Sequence, residues 1–229
     1  MKLYNDVDMS SDQDAKKIYL VDDHPVVTKG IAMVLDEEPD LVVCGSSDDI
    51  DQVLRDINTM SPDLVIVDIS LKEANGLDLV KALKTRYPNL KTMILSMHDE
   101  SLYAERALKS GARGYLMKNE VSETIVDAVR EVLGGGIYLS KKMSSRFLQR
   151  YVVSDKEDTR DPLDLLTNRE LEVFRYIGQG YAPREIASNM GLKVKTIDTY
   201  RERIKQKLDF SSSSEMNRYA ISWYAGNRE

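Results

Sequence analysis

Four short apolar segments recur in the first half of the chain without alternating with polar residues, at positions 18–21, 64–67, 92–95 and 115–117. An apolar run of this length indicates a β-strand that is buried on both faces. Helical patterns separate the segments, and such an alternation predicts parallel strands joined by right-handed crossovers. The first half of the chain is therefore predicted to form an α/β domain around a parallel sheet.

Polar side chains follow these segments at the points where the strands would end. Asp22 and Asp23 follow the first segment, Asp68 the second, Ser96 the third and Lys118 the fourth. Parallel α/β sheets bind their ligands outside the carboxyl ends of the strands. We expect these side chains to meet at one site.

The acidic residues of this site predict a metal ion and chemistry on phosphate. Carboxylates that crowd together repel each other, so the cluster favours a divalent cation, and oxygen ligands favour Mg2+. An aspartate can attack phosphorus to form an acyl phosphate, while a metal ion, a lysine and a hydroxyl hold the phosphoryl oxygens. Asp68 is the predicted nucleophile, with Asp22 and Asp23 holding the metal.

The motifs around these residues resemble the CheY-like receiver domain of two-component response regulators. The resemblance covers about residues 16–134 and rests on Val21-Asp22-Asp23-His24, Val67-Asp68-Ile69, Leu95-Ser96 and Gly114-Tyr115-Leu116-Met117-Lys118. It implies a doubly wound, flavodoxin-like parallel sheet with five strands.

The same resemblance implies that a histidine kinase phosphorylates Asp68. Ser96 and Lys118 would contact the phosphoryl group, and Tyr115 would move together with Ser96 as the family's switch aromatic. This movement would turn a local change of charge into a new surface on the fourth helix, fifth strand and fifth helix. The implied Mg2+ ligands are Asp22, Asp23, Asp68 and the carbonyl oxygen of Ser70.

Three positions near the site either depart from the family's usual residue or have a role that the sequence leaves undecided. Lys72 stands where many receivers carry proline, which predicts a looser loop after Asp68. His98, two residues after Ser96, lies where the family tunes hydrolysis of the phosphate. His24 follows the acidic pair, and we interpret it as a loop residue in preference to a metal ligand.

Length and composition set independent limits. The chain has 229 residues with 42% hydrophobic content, enough for two modest globular domains. The one cysteine, Cys44, cannot form an internal disulfide, which fits a reducing cytoplasm. No run approaches the roughly 20 apolar residues that span a bilayer, and the polar start lacks the core of a signal peptide, so a cytoplasmic protein without a membrane partner is expected.

The net charge of −6 is unevenly distributed along the chain. Residues 1–136 carry the acidity, whereas residues 137–162 and 163–229 are each net positive. Between positions 193 and 207 Lys and Arg outnumber Asp and Glu, which predicts contact with nucleic-acid phosphates. A charged stretch of this kind can also be a solvated helix face.

The last part of the chain predicts a helix-turn-helix. Thr167 and Glu170 have the spacing of a capping box at a helix start, and Pro183 suits the first turn of a second helix. After Gly191 a third helix begins near Thr196 with a basic outer face. Its residues at helical spacing are expected to pack inward, and they are Ile197, Tyr200, Ile204 and Leu208. The second helix of such a pair enters the major groove of DNA.

These motifs resemble the LuxR-type output domain of NarL/FixJ response regulators over about residues 163–225. The resemblance implies a four-helix, all-α domain that binds DNA through the third helix. Asp198, Thr199 and Glu202 occupy positions that face base edges, although Asp198 can also be a first-turn acid that favours the helix dipole. The implied DNA-binding set is completed by Lys195, Thr196, Tyr200, Arg203 and Lys207.

A fourth helix is expected from residue 213 to residue 225, with an apolar stripe that includes Met216, Tyr219 and Trp223. Most of the stripe can be core. In the family this helix pairs with its twin, so we expect a homodimer upon phosphorylation that contacts through these three residues and reads two half-sites one helical turn apart.

The predicted domain order is a disordered arm at 1–15, a receiver at 16–136, a linker at 137–162 and the DNA-binding domain at 163–229. Glycines at 134–136 end the last receiver helix, and residues 141–152 have the pattern of a short amphipathic helix before a flexible charged stretch at 154–162. This arrangement suggests that the unphosphorylated receiver covers the DNA-reading helix.

The residues favour a phosphorylation-switched transcription factor that is not an enzyme. One alternative is a regulator whose receiver acts independently of phosphorylation, although the expected acids, hydroxyl and lysine are all present. A second alternative is a phosphohydrolase of the aspartyl-phosphate type, which would have no need of a helix-turn-helix.

Overall fold

The computed structural model describes residues 15–71, 74–98, 100–153 and 162–226. These residues form two compact units, the first within residues 15–71 and 76–146 and the second within residues 74–75 and 147–226. The predicted arm at 1–15, apart from Ala15, lies outside the described residues, as do Lys72 and positions 154–161 of the predicted linker. No helix in the described ranges has the length and apolar character that crossing a membrane requires.

The first unit is a five-stranded parallel sheet in the order β2-β1-β3-β4-β5. The strands are β1 (Lys16–Val21), β2 (Leu41–Ser47), β3 (Leu64–Val67), β4 (Lys91–Ser96) and β5 (Tyr115–Met117). Helices connect them in chain order, namely α1 (Pro25–Asp36), α2 (Ile50–Met60), α3 (Gly76–Arg86) and α4 (Glu100–Ser110), with α5 (Val121–Leu133) after the last strand. The predicted doubly wound, flavodoxin-like fold is confirmed.

Burial follows the sequence pattern for four of the strands. Every residue of β3 is buried, and the apolar residues of β1, β4 and β5 join α1 and α5 in one core that contains Ile31, Leu35, Ile125 and Val129. The remaining strand, β2, is absent from the apolar runs because it lies at the sheet edge and most of its residues are partly exposed. An edge strand does not need the continuous apolar sequence of a central strand.

Helix ends agree with the sequence signals. Helix α5 ends at Leu133, and Gly135 then adopts a φ of +92° that favours glycine. The predicted amphipathic helix after it is α6 (Lys141–Val153), where Met143 is buried but Leu148 is exposed. The sequence pattern puts both residues on one apolar side of this helix, but Leu148 lies outside the core.

The second unit consists of four α-helices after a short 3-10 turn at Pro162–Leu165. They are α7 (Asn168–Gly178), α8 (Pro183–Asn189), α9 (Val194–Lys207) and α10 (Ser213–Gly226). Phe174, Ile186, Ile197 and Ile204 are fully buried and form its core. Helix α9 begins two residues before the predicted start, and its Tyr200 and Leu208 are only partly buried.

Candidate functional site

The predicted acidic residues meet at the carboxyl edge of the sheet. Val21 pairs with Val67 in the β1–β3 ladder, so Asp22 and Asp68 leave neighbouring strands side by side, and the Asp68 N–H donates to the Val21 carbonyl at 2.8 Å. Potential ligand atoms of Asp22, Asp23, His24 and Asp68 all lie within 4.8 Å of one another. The topology argument from sequence therefore placed the acids correctly.

Lys118 lies between two of these acids. Its Nζ is 2.6 Å from Asp22 Oδ2 and 2.7 Å from Asp68 Oδ2, and the side chains of all three residues are buried. Burial by itself lowers the pKa of the Lys118 ammonium, but the charges of Asp68 and Asp22 outweigh this, so the pKa lies above its ordinary value. The lysine is a fixed cation at the centre of the site.

Asp68 is 3% exposed, and its environment changes its acidity. Burial raises the pKa of the Asp68 carboxyl to about 6, and the nearby charge of Asp22 adds to the rise. Lys118 and a backbone hydrogen bond from Ser70 act in the opposite direction. A carboxylate with so little solvation and a cation at hydrogen-bond distance is suited to nucleophilic attack.

Ser70, Ser96 and Tyr115 are connected through His98. The Ser70 Oγ lies 2.7 Å from His98 Nε2, the His98 N–H donates to the Ser96 Oγ at 3.2 Å, and the Tyr115 hydroxyl donates to the His98 carbonyl at 2.8 Å. The His98 ring also stacks on Tyr103, with centroids 4.9 Å apart. Tyr115 is buried in this structure, and burial raises its pKa well above the ordinary value.

The sequence predicts that His98 lies where the family tunes hydrolysis of the phosphate, and the structure adds hydrogen-bond contacts that the sequence did not reveal. His98 joins the loop after β3, which carries Ser70, to the loop after β4 and to β5. No local pattern predicts this, because Ser70 and His98 are 28 positions apart.

Gly76 also has a structural role beside Asp68 that the sequence did not reveal. It begins α3 directly beside Asp68, and a Cβ atom built on it would lie 1.9 Å from the Asp68 carbonyl oxygen. Its N–H donates to the Ile69 carbonyl at 2.8 Å. Glycine is therefore required for α3 to approach the backbone that carries Asp68.

The donor set fits a divalent cation. Asp23 Oδ1 is buried and accepts no hydrogen bond within the described part of the chain, while Asp22 Oδ2 is buried against the Lys118 ammonium at 2.6 Å. Oxygen atoms in this condition are stabilised by a cation, and carboxylate oxygens are the ligands that Mg2+ prefers. Asp22, Asp23 and Asp68 could hold such an ion, together with a carbonyl oxygen of the loop after β3.

The second unit places a helix-turn-helix where the sequence predicts it. The Thr167 Oγ1 accepts from the Glu170 N–H and the Glu170 carboxylate accepts from the Thr167 N–H at 2.8 Å, which confirms the capping box of α7. Gly191, with a φ of +63°, makes the turn between α8 and α9. The outward side of α9 is exposed along most of the predicted DNA-binding set, namely Lys195, Asp198, Thr199, Glu202 and Arg203.

The remaining residues of the predicted DNA-binding set are less exposed to solvent. Thr196 and Tyr200 are partly buried, and Lys207 Nζ lies 2.7 Å from the Glu170 carboxylate. Burial alone would raise the pKa of Glu170, but hydrogen bonds from Lys207 and Thr167 lower it below its ordinary value. Lys207 thus joins the end of α9 to the start of α7, and its contact with DNA stays a prediction.

Helix α10 corrects one part of the predicted dimer surface. Met216 is fully buried in the core of the second unit, so its side chain cannot line a dimer contact. Trp223 packs on Phe174, with ring centroids 5.4 Å apart, while Tyr219 keeps 41% of its surface exposed. Ile221, which the sequence stripe did not include, is 50% exposed and offers an apolar outer surface on the same helix.

Comparison with known proteins agrees with the two units. Residues 18–130 match the response regulator receiver domain, and residues 164–220 match the bacterial regulatory proteins of the luxR family. The oxygen regulatory protein NreC of Staphylococcus carnosus (strain TM300) is 34% identical over 209 residues, which cover 90% of this chain and 96% of that relative.

Solved structures share the fold. A LuxR-family two-component response regulator from Aurantimonas sp. SI85-9A1 has 27% identity and a TM-score of 0.55, and the match covers 60% of this chain and 99% of that chain. RcsB from Salmonella enterica serovar Typhimurium, bound to promoter rprA in the presence of the phosphomimetic BeF3-, has 23% identity and a TM-score of 0.58 over 90% of this chain and 98% of its own.

The sheet with its acidic edge and the helix-turn-helix together define a two-domain signalling protein. The chain belongs to the response regulators that join a receiver domain to a LuxR-type DNA-binding domain. It is a transcription regulator that responds to phosphorylation.

Proposed function

We propose that Asp68 is the phosphoryl acceptor of this regulator and that a histidine kinase is the donor. The observation that carries the proposal is the Asp68 carboxylate, buried beside Asp22 and Asp23 with Lys118 Nζ at 2.7 Å. A lone buried aspartate would be costly in its charged form, whereas this one has a fixed cation and further possible cation ligands beside it.

In the proposed step an oxygen of the Asp68 carboxylate attacks the phosphorus of a phosphohistidine. The bond from phosphorus to the imidazole nitrogen breaks and this nitrogen keeps the electron pair, so a ring protonated on its other nitrogen leaves as neutral imidazole while an acyl phosphate forms on Asp68. Lys118 then exchanges its contacts with the two carboxylates for a contact with a phosphoryl oxygen. The hydroxyl of Ser96, at the end of β4, would donate a hydrogen bond to a second phosphoryl oxygen.

A bound Mg2+ would neutralise part of the charge of the carboxylates and of the phosphoryl oxygens. Asp22, Asp23 and Asp68 would hold it, with the carbonyl oxygen of Ser70 as a further ligand. The buried Asp23 Oδ1, which accepts no hydrogen bond from any described residue, supports this assignment.

The His98 connections support a route from phosphate to the surface. When the Ser96 hydroxyl turns toward the phosphoryl group, it releases the His98 N–H, which it accepts at 3.2 Å in this structure. The Tyr115 hydroxyl, bonded to the same histidine's carbonyl, follows and repacks. The exposed side of α4, β5 and α5 would change shape as a result.

Helix α9 is the proposed DNA-reading element. Its exposed Lys195 and Arg203 would contact backbone phosphates, while Asp198 and Glu202 can accept from cytosine N4 and Thr199 can touch the thymine methyl. The Thr199 hydroxyl donates to the Lys195 carbonyl at 3.0 Å, which leaves the methyl group as its outward contact. A regulator that binds DNA in this way would act in the cytoplasm.

Phosphorylation would promote a homodimer through α10. Tyr219 and Ile221 provide its exposed apolar surface, and Trp223 contributes the part of its ring that the core leaves open. A two-fold dimer of this kind would read two half-sites about one helical turn apart. The kinase would dock on the exposed positions of α1, where Val26, Lys29 and Met33 face outward at helical spacing.

The test is selection from a random DNA pool by the full-length protein, with and without beryllofluoride and Mg2+ as a mimic of phosphorylated Asp68. A motif with two-fold symmetry that appears only with the mimic, and is lost in Asp68→Asn, supports the proposal. Equal enrichment in both conditions would favour the alternative of a receiver that acts independently of phosphorylation.

Two related hypotheses have their own tests. Occlusion of α9 by the unphosphorylated receiver is wrong if the full-length protein binds the selected site as tightly as residues 163–229 do. Turnover of small phosphoesters by the unmodified protein, lost in Asp68→Asn, would instead support the phosphohydrolase alternative.

A further inference from the structure

The imidazole of His24 lies directly against the acidic pair. Its Nδ1 is 3.1 Å from Asp22 Oδ1 and 2.7 Å from Asp23 Oδ1. The backbone holds the ring in this place, because His24 is the N-cap of α1 with Pro25 fixing the first turn, and its N–H donates to Asp22 Oδ1 at 2.9 Å. The ring is therefore positioned at the site and is not a free loop side chain.

The two contacts of the ring differ in kind. The contact of Nδ1 with Asp22 Oδ1 has hydrogen-bond geometry, whereas Asp23 Oδ1 is buried and accepts no hydrogen bond from any described residue although Nδ1 is closer to it. The 2.7 Å contact with Asp23 Oδ1 places Nδ1 and the two carboxylate oxygens within reach of one position, as the neighbouring ligands of a cation are. Adjacent ligands with bonds of about 2.1 Å are about 3 Å apart, which matches both distances.

A ligand nitrogen from His24 would change which metal ion the site binds most tightly. Carboxylate, carbonyl and water oxygens suit Mg2+, whereas imidazole suits later first-row ions, and affinity for mixed nitrogen and oxygen donors rises from Mn2+ through Co2+ to Ni2+. We propose that His24 Nδ1 is an additional metal ligand, and that it makes this receiver bind divalent transition ions in preference to Mg2+. This inference rests on the proposed metal site at Asp22, Asp23 and Asp68.

The experiment uses full-length protein freed of metal and measures affinity for Co2+, Ni2+ and Mg2+ by calorimetric titration. The variants are His24→Ala and, as a control, Lys81→Ala at an exposed position of α3. We expect His24→Ala to raise the Kd for Co2+ and Ni2+ at least tenfold and to change the Kd for Mg2+ less than twofold. Lys81→Ala should bind all three ions as the wild type does.

A spectroscopic readout identifies the ligand itself. Pulsed electron paramagnetic resonance of bound Mn2+ should show coupling to an imidazole nitrogen in the wild type, and this coupling should vanish in His24→Ala. The assignment is direct because the chain has two histidines and His98 is buried. Absence of the coupling from the wild type, or equal losses of Mg2+ and Co2+ affinity in His24→Ala, would overturn the inference.

Asp23→Asn separates this inference from the proposed function. If Asp23→Asn weakens every ion while His24→Ala weakens none, the acidic metal site stands and only the part of His24 is refuted. If Asp23→Asn weakens no ion, the acidic site does not bind metal, and both this inference and the metal site on which it rests are refuted.

Discussion

The ammonium of Lys207, in the last turn of α9, lies 2.7 Å from the carboxylate of Glu170, in the first turn of α7. The same carboxylate accepts the Thr167 N–H, so one buried acid caps the first helix of the DNA-binding domain and holds the end of the helix that faces DNA. Loss of this acid leaves Lys207 and an orphan backbone donor without their partner.

Glu170→Gln keeps an acceptor for the Thr167 N–H but removes the charge that pairs with Lys207, so it is expected to destabilise the second domain by about 1–3 kcal/mol, the cost of a lost hydrogen bond between charged groups. Urea unfolding followed by tryptophan fluorescence measures this domain specifically, because the chain's one tryptophan is Trp223. Glu202→Gln is the control, since its ion pair with Lys205 is exposed and should contribute less than about 1 kcal/mol. Equal losses in the two variants would contradict the structural part given to Glu170.

The same pair predicts a pH dependence. The pKa of Glu170 is lower in the folded state than in the unfolded state, so the unfolded state binds more protons between the two values. The stabilisation is therefore complete above the unfolded pKa of about 4.3 and is lost as the pH falls through the folded pKa. The difference in unfolding free energy between wild type and Glu170→Gln should shrink on acidification below that pH, and a constant difference would refute the assignment.

Lys118→Met should slow phosphorylation of Asp68 while leaving the nucleophile in place. The variant removes the fixed cation that two buried carboxylates share, and loss of one such group costs roughly 100-fold in rate when it stabilises developing charge. The measurement is the rate of mass increase upon incubation with acetyl phosphate and Mg2+. Lys29→Met, an exposed position on α1, is the control, and an unchanged rate in Lys118→Met would exclude the proposed role.

Gly76→Ala should disturb Asp68 from outside the acidic cluster. The new Cβ would lie 1.9 Å from the Asp68 carbonyl oxygen, so α3 or the loop after β3 must move. We expect a loss of several kcal/mol in receiver stability and a lower phosphorylation rate. Gly30→Ala is the matched control, because nothing lies within 4 Å of its added Cβ and α1 should gain about 0.5–1 kcal/mol. Similar behaviour of the two alanine variants would show that the close approach does not matter.

Substitutions at Ile221 and at Met216, both on α10, should separate an effect on dimerisation from an effect on folding. Ile221→Glu places a charge on the exposed side of α10 and should abolish the beryllofluoride-induced dimer in sedimentation velocity, with Trp223 fluorescence unchanged. Ile221→Val should preserve the dimer. Met216→Ala should instead destabilise the domain by about 2–5 kcal/mol, because it opens a cavity in the core. A dimer that survives Ile221→Glu would move the interface away from this part of α10.

The amino-acid sequence determined the elements and their order through local physics. Continuous apolar runs specify buried strands because both faces of a central strand must leave water, and the capping box at Thr167 specifies a helix start because free backbone donors need acceptors. The order of strands then brings Asp22, Asp68 and Lys118 to one edge. The apolar pattern did not predict strand β2, because an edge strand tolerates partial exposure.

Only the tertiary structure decided what particular side chains touch. The stripe of α10 did not reveal that Met216 faces the core while Ile221 faces outward, and no spacing linked Lys207 to Glu170, Ser70 to His98 or Gly76 to the Asp68 backbone. These contacts join residues far apart in the chain, and they depend on the angles at which helices pack and on the rotamers that close packing allows. Local periodicity fixes which side of an element is apolar, whereas the partner of a side chain is fixed by the rest of the fold.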